Sequence, residues 1–255
     1  MKKVMYLFLV LVLHLPLYAR TVTTGNELFR QALSGEESFD AAAADYVRLI
    51  NEGETDLFSL YYNLGNTLYL ADDPVAALAA YGAALKLKPS DEDCIANRNL
   101  VLGELELEAP VPDAAGSFLH GPVLLFGVKA AGVILLFLTV SAFGAALLFL
   151  IVKKPVFRTI SVILLVLSLL MSGSLFSWNP NPAVIAQDNT ALRRGDSPLY
   201  EPLAVLQAGT SIHIIEERKG WFRVKTGKTA SSVSQTGWIQ DTQMIDIQKL
   251  IDRYQ

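Results

Sequence analysis

One cysteine, Cys94, stands in a chain of 255 residues, and the three histidines, His14, His120 and His213, are scattered along it. A lone cysteine excludes an intrachain disulfide. No histidine shares a segment with Cys94, so no thiol–imidazole pairing is in view. Charge is also scarce, with 18% charged residues against 52% hydrophobic ones. The net charge of −4 argues against a nucleic-acid partner held through its phosphates. No Gly-rich phosphate loop, nucleophile motif or metal-ligand spacing occurs. These absences predict a protein with no enzymatic activity, no cofactor and no metal.

The apolar excess is concentrated. Ala130–Val152 runs 23 residues and Thr159–Trp178 runs 20 residues without a charge. At 1.5 Å per residue these reach about 34 Å and 30 Å, enough to cross a hydrocarbon core of about 30 Å. The flanking domains are too small to bury such helices. Between the two runs lies only residues 153–158, Lys-Lys-Pro-Val-Phe-Arg, whereas Glu104–His120 and Asn179–Leu192 contain no Lys or Arg. The positive-inside rule places this short loop in the cytoplasm and both flanks outside. The start agrees: Met1-Lys2-Lys3, an apolar run to Leu17 and the small Ala19 have the layout of an export signal. Lys129 is expected to snorkel at the outer interface. Ser141 with Ala145, and Ser168 with Ser172, offer small faces for helix packing.

The segment Arg20–Glu108 carries 16 acids against 6 bases, and apolar residues recur there at helical spacing. Helices are expected at Gly25–Ser34, Phe39–Asn51, Leu57–Ala71, Pro74–Leu87 and Glu92–Leu107, with the trio Asp91-Glu92-Asp93 at a helix start. Tyr61, Leu64, Gly65, Leu68, Ala77, Tyr81, Ala84 and Pro89 fall at the spacings of the tetratricopeptide signature. Phe29, Ala42, Tyr46 and Leu49 echo Leu64, Ala77, Tyr81 and Ala84 thirty-five residues earlier. About two repeats and a capping helix result. In this resemblance Tyr62, Asn66 and Tyr69 would face the concave side and touch a partner.

Behind the second apolar run, Asn179-Pro-Asn-Pro182 breaks the helix. Short β-like runs follow at Ala183–Ala186, Leu203–Leu206, Thr210–Glu216, Trp221–Lys225 and Gly237–Ile239. Their order resembles bacterial SH3-like domains. Leu192-Arg193 with Gly195 and Pro198 occupies the place of the Arg-rich first loop, and Gly220-Trp221-Phe222 and Gly237-Trp238-Ile239 form the tryptophan strands. Thr226–Thr236 is a long polar insert that this family pattern lacks. Trp221 and Trp238 are the candidate ligand-stacking pair. Arg194-Gly195-Asp196 matches an adhesion tripeptide but reads as a turn.

The expected fold is therefore multidomain: α-helical tetratricopeptide-like repeats, a two-helix transmembrane hairpin and a small all-β SH3-like barrel. The divisions are signal 1–19, repeats 20–108, linker 109–122 (with Asp113–Ser117 its most flexible-looking stretch), first span 123–152, cytoplasmic loop 153–158, second span 159–178, SH3-like domain 183–245 and tail 246–255. This order resembles the BatE-type proteins of the bacterial aerotolerance operon. The resemblance implies von Willebrand A-type Bat proteins as partners and, indirectly, a MoxR-type ATPase. It implies residence in the bacterial inner membrane with both soluble domains periplasmic. Two functions follow: a membrane-anchored scaffold for protein–protein interaction, or, as the alternative, a module that binds peptidoglycan through the SH3-like domain.

Overall fold

The computed structural model describes residues 26–53, 56–111, 121–177 and 182–254. The signal-like segment 1–19, the linker stretch Asp113–Ser117, His120 and the side chain of Lys129 lie outside the described residues.

The front half is a stack of helices: α1 (residues 26–34), α2 (Phe39–Asn51), α3 (Leu57–Leu70), α4 (Pro74–Leu87) and α5 (Glu92–Glu104). Four of them start on a side-chain cap. Ser38, Asp56, Asp73 and Asp91 accept from the backbone N–H of Ala41, Ser59, Ala76 and Cys94, satisfying donors that have no partner inside the helix. The echoed positions Ala42, Ala77, Tyr46, Tyr81, Leu49 and Ala84 are all at most 1% exposed. A Cβ on Gly65 would sit 2.6 Å from Tyr81 Cε1, so only glycine lets α3 and α4 approach this closely. Helix α5 ends at Glu104, short of the expected Leu107, because Glu106 takes a left-handed conformation at φ 56°. That turn sends Leu105 and Leu107 toward the rear half.

Two long helices follow, α6 (Gly121–Val152) and α7 (Pro155–Ser177). Both are long and apolar enough to cross a membrane. The second starts at Pro155, four residues earlier than expected, so the connecting loop is Lys153-Lys154 rather than residues 153–158. Proline suits a first helical position, where its missing N–H would be unpaired anyway, and Lys153 at φ 55° makes the reversal. The helices pack through small side chains, with Ala131, Ala142, Ala145, Ser168, Met171 and Ser174 buried and Ser161 Oγ donating to the Ala142 carbonyl at 3.0 Å. Ser172, expected at this seam, faces outward, and the line runs through Ser168, Met171 and Ser174 instead. Residues three apart are neighbours on a helix surface, and this line advances by threes.

The rear half is one antiparallel seven-stranded sheet: β1 (Pro182–Ile185), β2 (Thr190–Arg193), β3 (Pro202–Leu206), β4 (Ser211–Arg218), β5 (Trp221–Thr226), β6 (Thr236–Gln240) and β7 (Met244–Asp246), ordered β3-β2-β6-β5-β4-β1-β7. Leu192 and Arg193, expected in a loop, belong to a strand. With four residues, β2 is too short to show alternation. Ala183, Ile185, Leu192, Ile212, Val224, Ile239 and Met244 fill the sheet's own core.

The two halves are not separate. Val184 of β1, together with Leu250 and Ile251 of a final helix α8 (Ile247–Arg253), belongs to the core of the front helices. The segment expected as a tail, 246–255, therefore carries a packed helix. Strand β1 is buried on both faces, Ala183 and Ile185 toward the sheet core and Val184 toward α4. Gly209, at φ 83°, lies under Leu105, and a Cβ there would meet Leu105 Cδ1 at 2.8 Å. Arg253 pairs with Asp73 at 2.6 Å, and Tyr254 donates to Asp40 at 3.3 Å. The polar insert Thr226–Thr236 clasps the chain leaving α5. Ser231 donates through its N–H (3.0 Å) and Oγ (2.8 Å) to the Glu108 carboxylate, and Val111 N–H donates to the Lys228 carbonyl at 2.7 Å.

Candidate functional site

A shallow hollow of about 260 Å³ opens on the front helices, lined by Phe29, Asn66, Tyr69, Leu70, Tyr81, Asn97 and Leu100. Two of the three expected contact residues meet there. Asn66 Oδ1 accepts from Tyr81 Oη at 2.8 Å and Asn97 Nδ2 at 2.9 Å, tying α3, α4 and α5 together. Tyr69 donates to Glu104 at 2.5 Å, a bond that raises the phenol pKa. Tyr62 is not part of the hollow. Its ring stacks on Phe58 and its hydroxyl accepts from Asn97 at 3.0 Å, so this side chain is spent on packing.

The tryptophans share one face of the rear sheet, since Trp221 stands opposite Gln240 and Trp238 opposite Arg223. They do not form an open clamp. Trp238 is 9% exposed, with the Arg218 guanidinium 5.3 Å from its ring centre, and Trp221 is half-buried. Arg218 also pairs with Asp196 at 3.7 Å, while Gly195 lies beneath the Tyr200 ring. The tripeptide 194–196 is thus a turn held against its own sheet.

Cys94 is fully buried and donates to the Tyr81 carbonyl at 3.8 Å. Burial pushes its thiol up to about 12, so almost no thiolate is present at neutral pH. Among the described residues, no three His, Cys, Asp or Glu side chains gather closely enough to hold a metal.

A larger cavity was not foreseen from the sequence. It occupies about 680 Å³ where the front and rear halves meet, within the usual range for ligand sites of roughly 300–1,000 Å³. Leu78 and Leu85 of α4, Ile95 of α5, and Val184 and Ile212 of the sheet supply apolar surface. Lys86 and Arg98 reach it from the helices, and His213, Lys225 and Lys228 from the sheet side. Among the described residues no Asp or Glu lines it, although the front segment as a whole is strongly acidic. The Arg98 guanidinium hydrogen-bonds only to Asn99 Oδ1, at 3.1 and 3.3 Å, among the described residues. Burial lowers its pKa. His213 is likewise held below its ordinary value by desolvation and by Lys225 across the strand pair.

Comparison with known proteins adds no name. No family model, curated protein or solved structure matches the chain. What can be said of the site rests on its own geometry. It comprises a largely apolar hollow on the helices, a covered tryptophan face and a cationic cleft between the halves.

Proposed function

We propose that this protein is a non-enzymatic, membrane-anchored scaffold. Two apolar helices would form the anchor, and one composite domain on one side of the membrane would bind protein partners. The observation that carries the reading is the shared core. Val184, Leu250 and Ile251, all beyond α7, pack among the helices that precede α6. If α6 and α7 cross a bilayer, the front and rear halves must lie on the same side of it. The apolar flanks of the pair support crossing, since only 6% and 17% of their most apolar windows are buried in the protein. In water that much exposed apolar surface would be strongly unfavourable.

The repeat-like front helices and the rear sheet correspond to a tetratricopeptide array and an SH3-like domain. In a BatE-type protein they would stand in the periplasm beside von Willebrand A-type partners and, indirectly, a MoxR-type ATPase. The hollow at Asn66 and Tyr69 is the partner site for this reading. Peptidoglycan binding through Trp221 and Trp238 has less support, because the second ring is covered.

A photo-crosslinking residue at Tyr69 in intact cells tests the scaffold directly. A von Willebrand A-type partner captured there, and not from a site on exposed Val233, is the expected result. A cytosolic reporter that works when fused after Gln255 would overturn the orientation. Absence of any Tyr69 adduct, with wall sedimentation of the intact protein abolished by Trp221→Ala, would replace the scaffold with the wall-binding reading.

A further inference from the structure

We propose that the cleft between the front helices and the rear sheet binds an extended segment of a partner protein in which acidic and apolar residues alternate. Its carboxylates would meet Arg98, Lys225 and Lys228, and its apolar side chains would meet Leu78, Ile95 and Ile212. This names the partner's chemistry, and so rests on the scaffold reading for the existence of a partner, though at a different surface from the Tyr69 hollow.

Three observations converge on that occupant. First, Arg98 on the helix wall and Lys225 and Lys228 on the sheet wall bring cations to the cleft, and no carboxylate among the described residues lines it. A half-buried Arg98 guanidinium, with only an amide oxygen as hydrogen-bond partner among the described residues, is poised for the stronger charge-assisted bond that a carboxylate offers. Second, the lining includes the polar side chains of Asn99, Ser211, Thr226 and Ser234 as well as the apolar ones. A single-headed amphiphile calls for a dry tunnel with cations at one end, whereas a mixed polar and apolar lining suits a chain with several charges. Third, the protein already docks a segment of this composition on the same rear half, there around the left-handed turn at Glu106. In Glu104-Leu105-Glu106-Leu107-Glu108, both leucines cover Gly209 and the last carboxylate is held by Ser231.

The test uses the full chain in lipid nanodiscs, with empty discs as the blank, titrated calorimetrically with the capped pentapeptide Leu-Glu-Leu-Glu-Leu. The same peptide with Gln for Glu is the neutral counterpart, and naphthalene-2-sulfonate stands for a small amphipathic anion. The acidic peptide is expected to bind at least about tenfold more tightly than its neutral form, with R98Q and the pair K225Q/K228Q each weakening it by about three- to tenfold. Should R98Q misfold, the exposed-lysine pair alone decides, because both side chains reach solvent. Equal binding of the two peptides, or lysine variants that bind like the parent, overturns the proposal. Binding of the sulfonate without the peptide also overturns it. Peptide binding that persists where Tyr69 cross-links nothing leaves the cleft standing and removes only the hollow's role.

Discussion

Helices α2 and α4 occupy the same place in a 35-residue repeat, yet only α2 has a polar side. Asp45 and Arg48 of α2 correspond to Ala80 and Ala83 of α4. In α2, Asp40, Arg48 and Asn51 face solvent, whereas in α4 every residue from Ala76 to Leu85 but Gly82 is buried. A helix that packs on one side keeps a polar stripe, and one that is apolar all round is enclosed. The difference records what covers α4 on its far side: β1 and α8, brought there from beyond two long apolar helices.

The most forceful way to break that comparison is to give α4 the residue that α2 carries. Ala80→Asp places a carboxylate at a 0% exposed site. It should lower unfolding stability by about 3–5 kcal/mol, the range for an uncompensated buried charge. On α2, Arg48→Ala removes an exposed pair to Glu52 and a pair to Asp45, whose side chain is only 12% exposed, and should cost less, about 1–3 kcal/mol. Thermal melts of both variants in nanodiscs check the contrast. Similar losses would mean that α4 is not enclosed.

Next in size is the seam itself. Leu250 is fully buried in the front core although it lies near the end of the chain. Leu250→Ala should cost about 2–5 kcal/mol, and it should lower the protection of α4 amides together with those of β1 in hydrogen exchange. Loss of protection confined to α8 would show that the halves are stable apart. Within the front stack, Gly65→Ala should destabilise by about 1–3 kcal/mol through overpacking against Tyr81, despite alanine's helix preference of about 1 kcal/mol. Adding Tyr81→Leu should recover part of that loss. An alanine that stabilises would show that the ring has room to move.

Much of this architecture was readable in the sequence, for reasons tied to particular residues. The apolar runs, the helix start at Asp91 and the buried echo of Tyr46 by Tyr81 are local or periodic signals. The hollow at Asn66 and Tyr69 followed from the repeat register, but Tyr62 did not, because its neighbours Phe58 and Asn97 are set by packing between helices. The seam and its cleft were illegible to any local reading, since Val184 lies 97 and Leu250 163 residues beyond the end of α4. One clue did exist: Pro74–Leu87 offers no polar face until Lys86, which signals a further covering layer. Strand β2 hid in a four-residue run, and the insert Thr226–Thr236 looked like a departure from pattern when it is the clasp on Glu108 and Val111.

That clasp gives the gentlest test, and it distinguishes the polar edge of the seam from its apolar centre. Hydrogen bonds from Thr229 and Ser231 hold the Glu108 carboxyl below the usual carboxylate range. A folded-state pKa lowered in this way makes the contribution fully present above the unfolded value and lost as the pH falls through the folded one. Exchange of the Ser231 amide should therefore speed up, beyond its intrinsic pH trend, when the pH is taken below that range, with the interior α4 amides unaffected, because Leu250 and Ile251 cover them with apolar side chains and the Arg253–Asp73 pair lies only at the start of α4. Glu108→Gln should remove the pH dependence and leave the Val111 to Lys228 bond in place. If the α4 amides loosen with Ser231 over the same interval, the seam is held by its rim and the enclosed helix is not what joins the two halves.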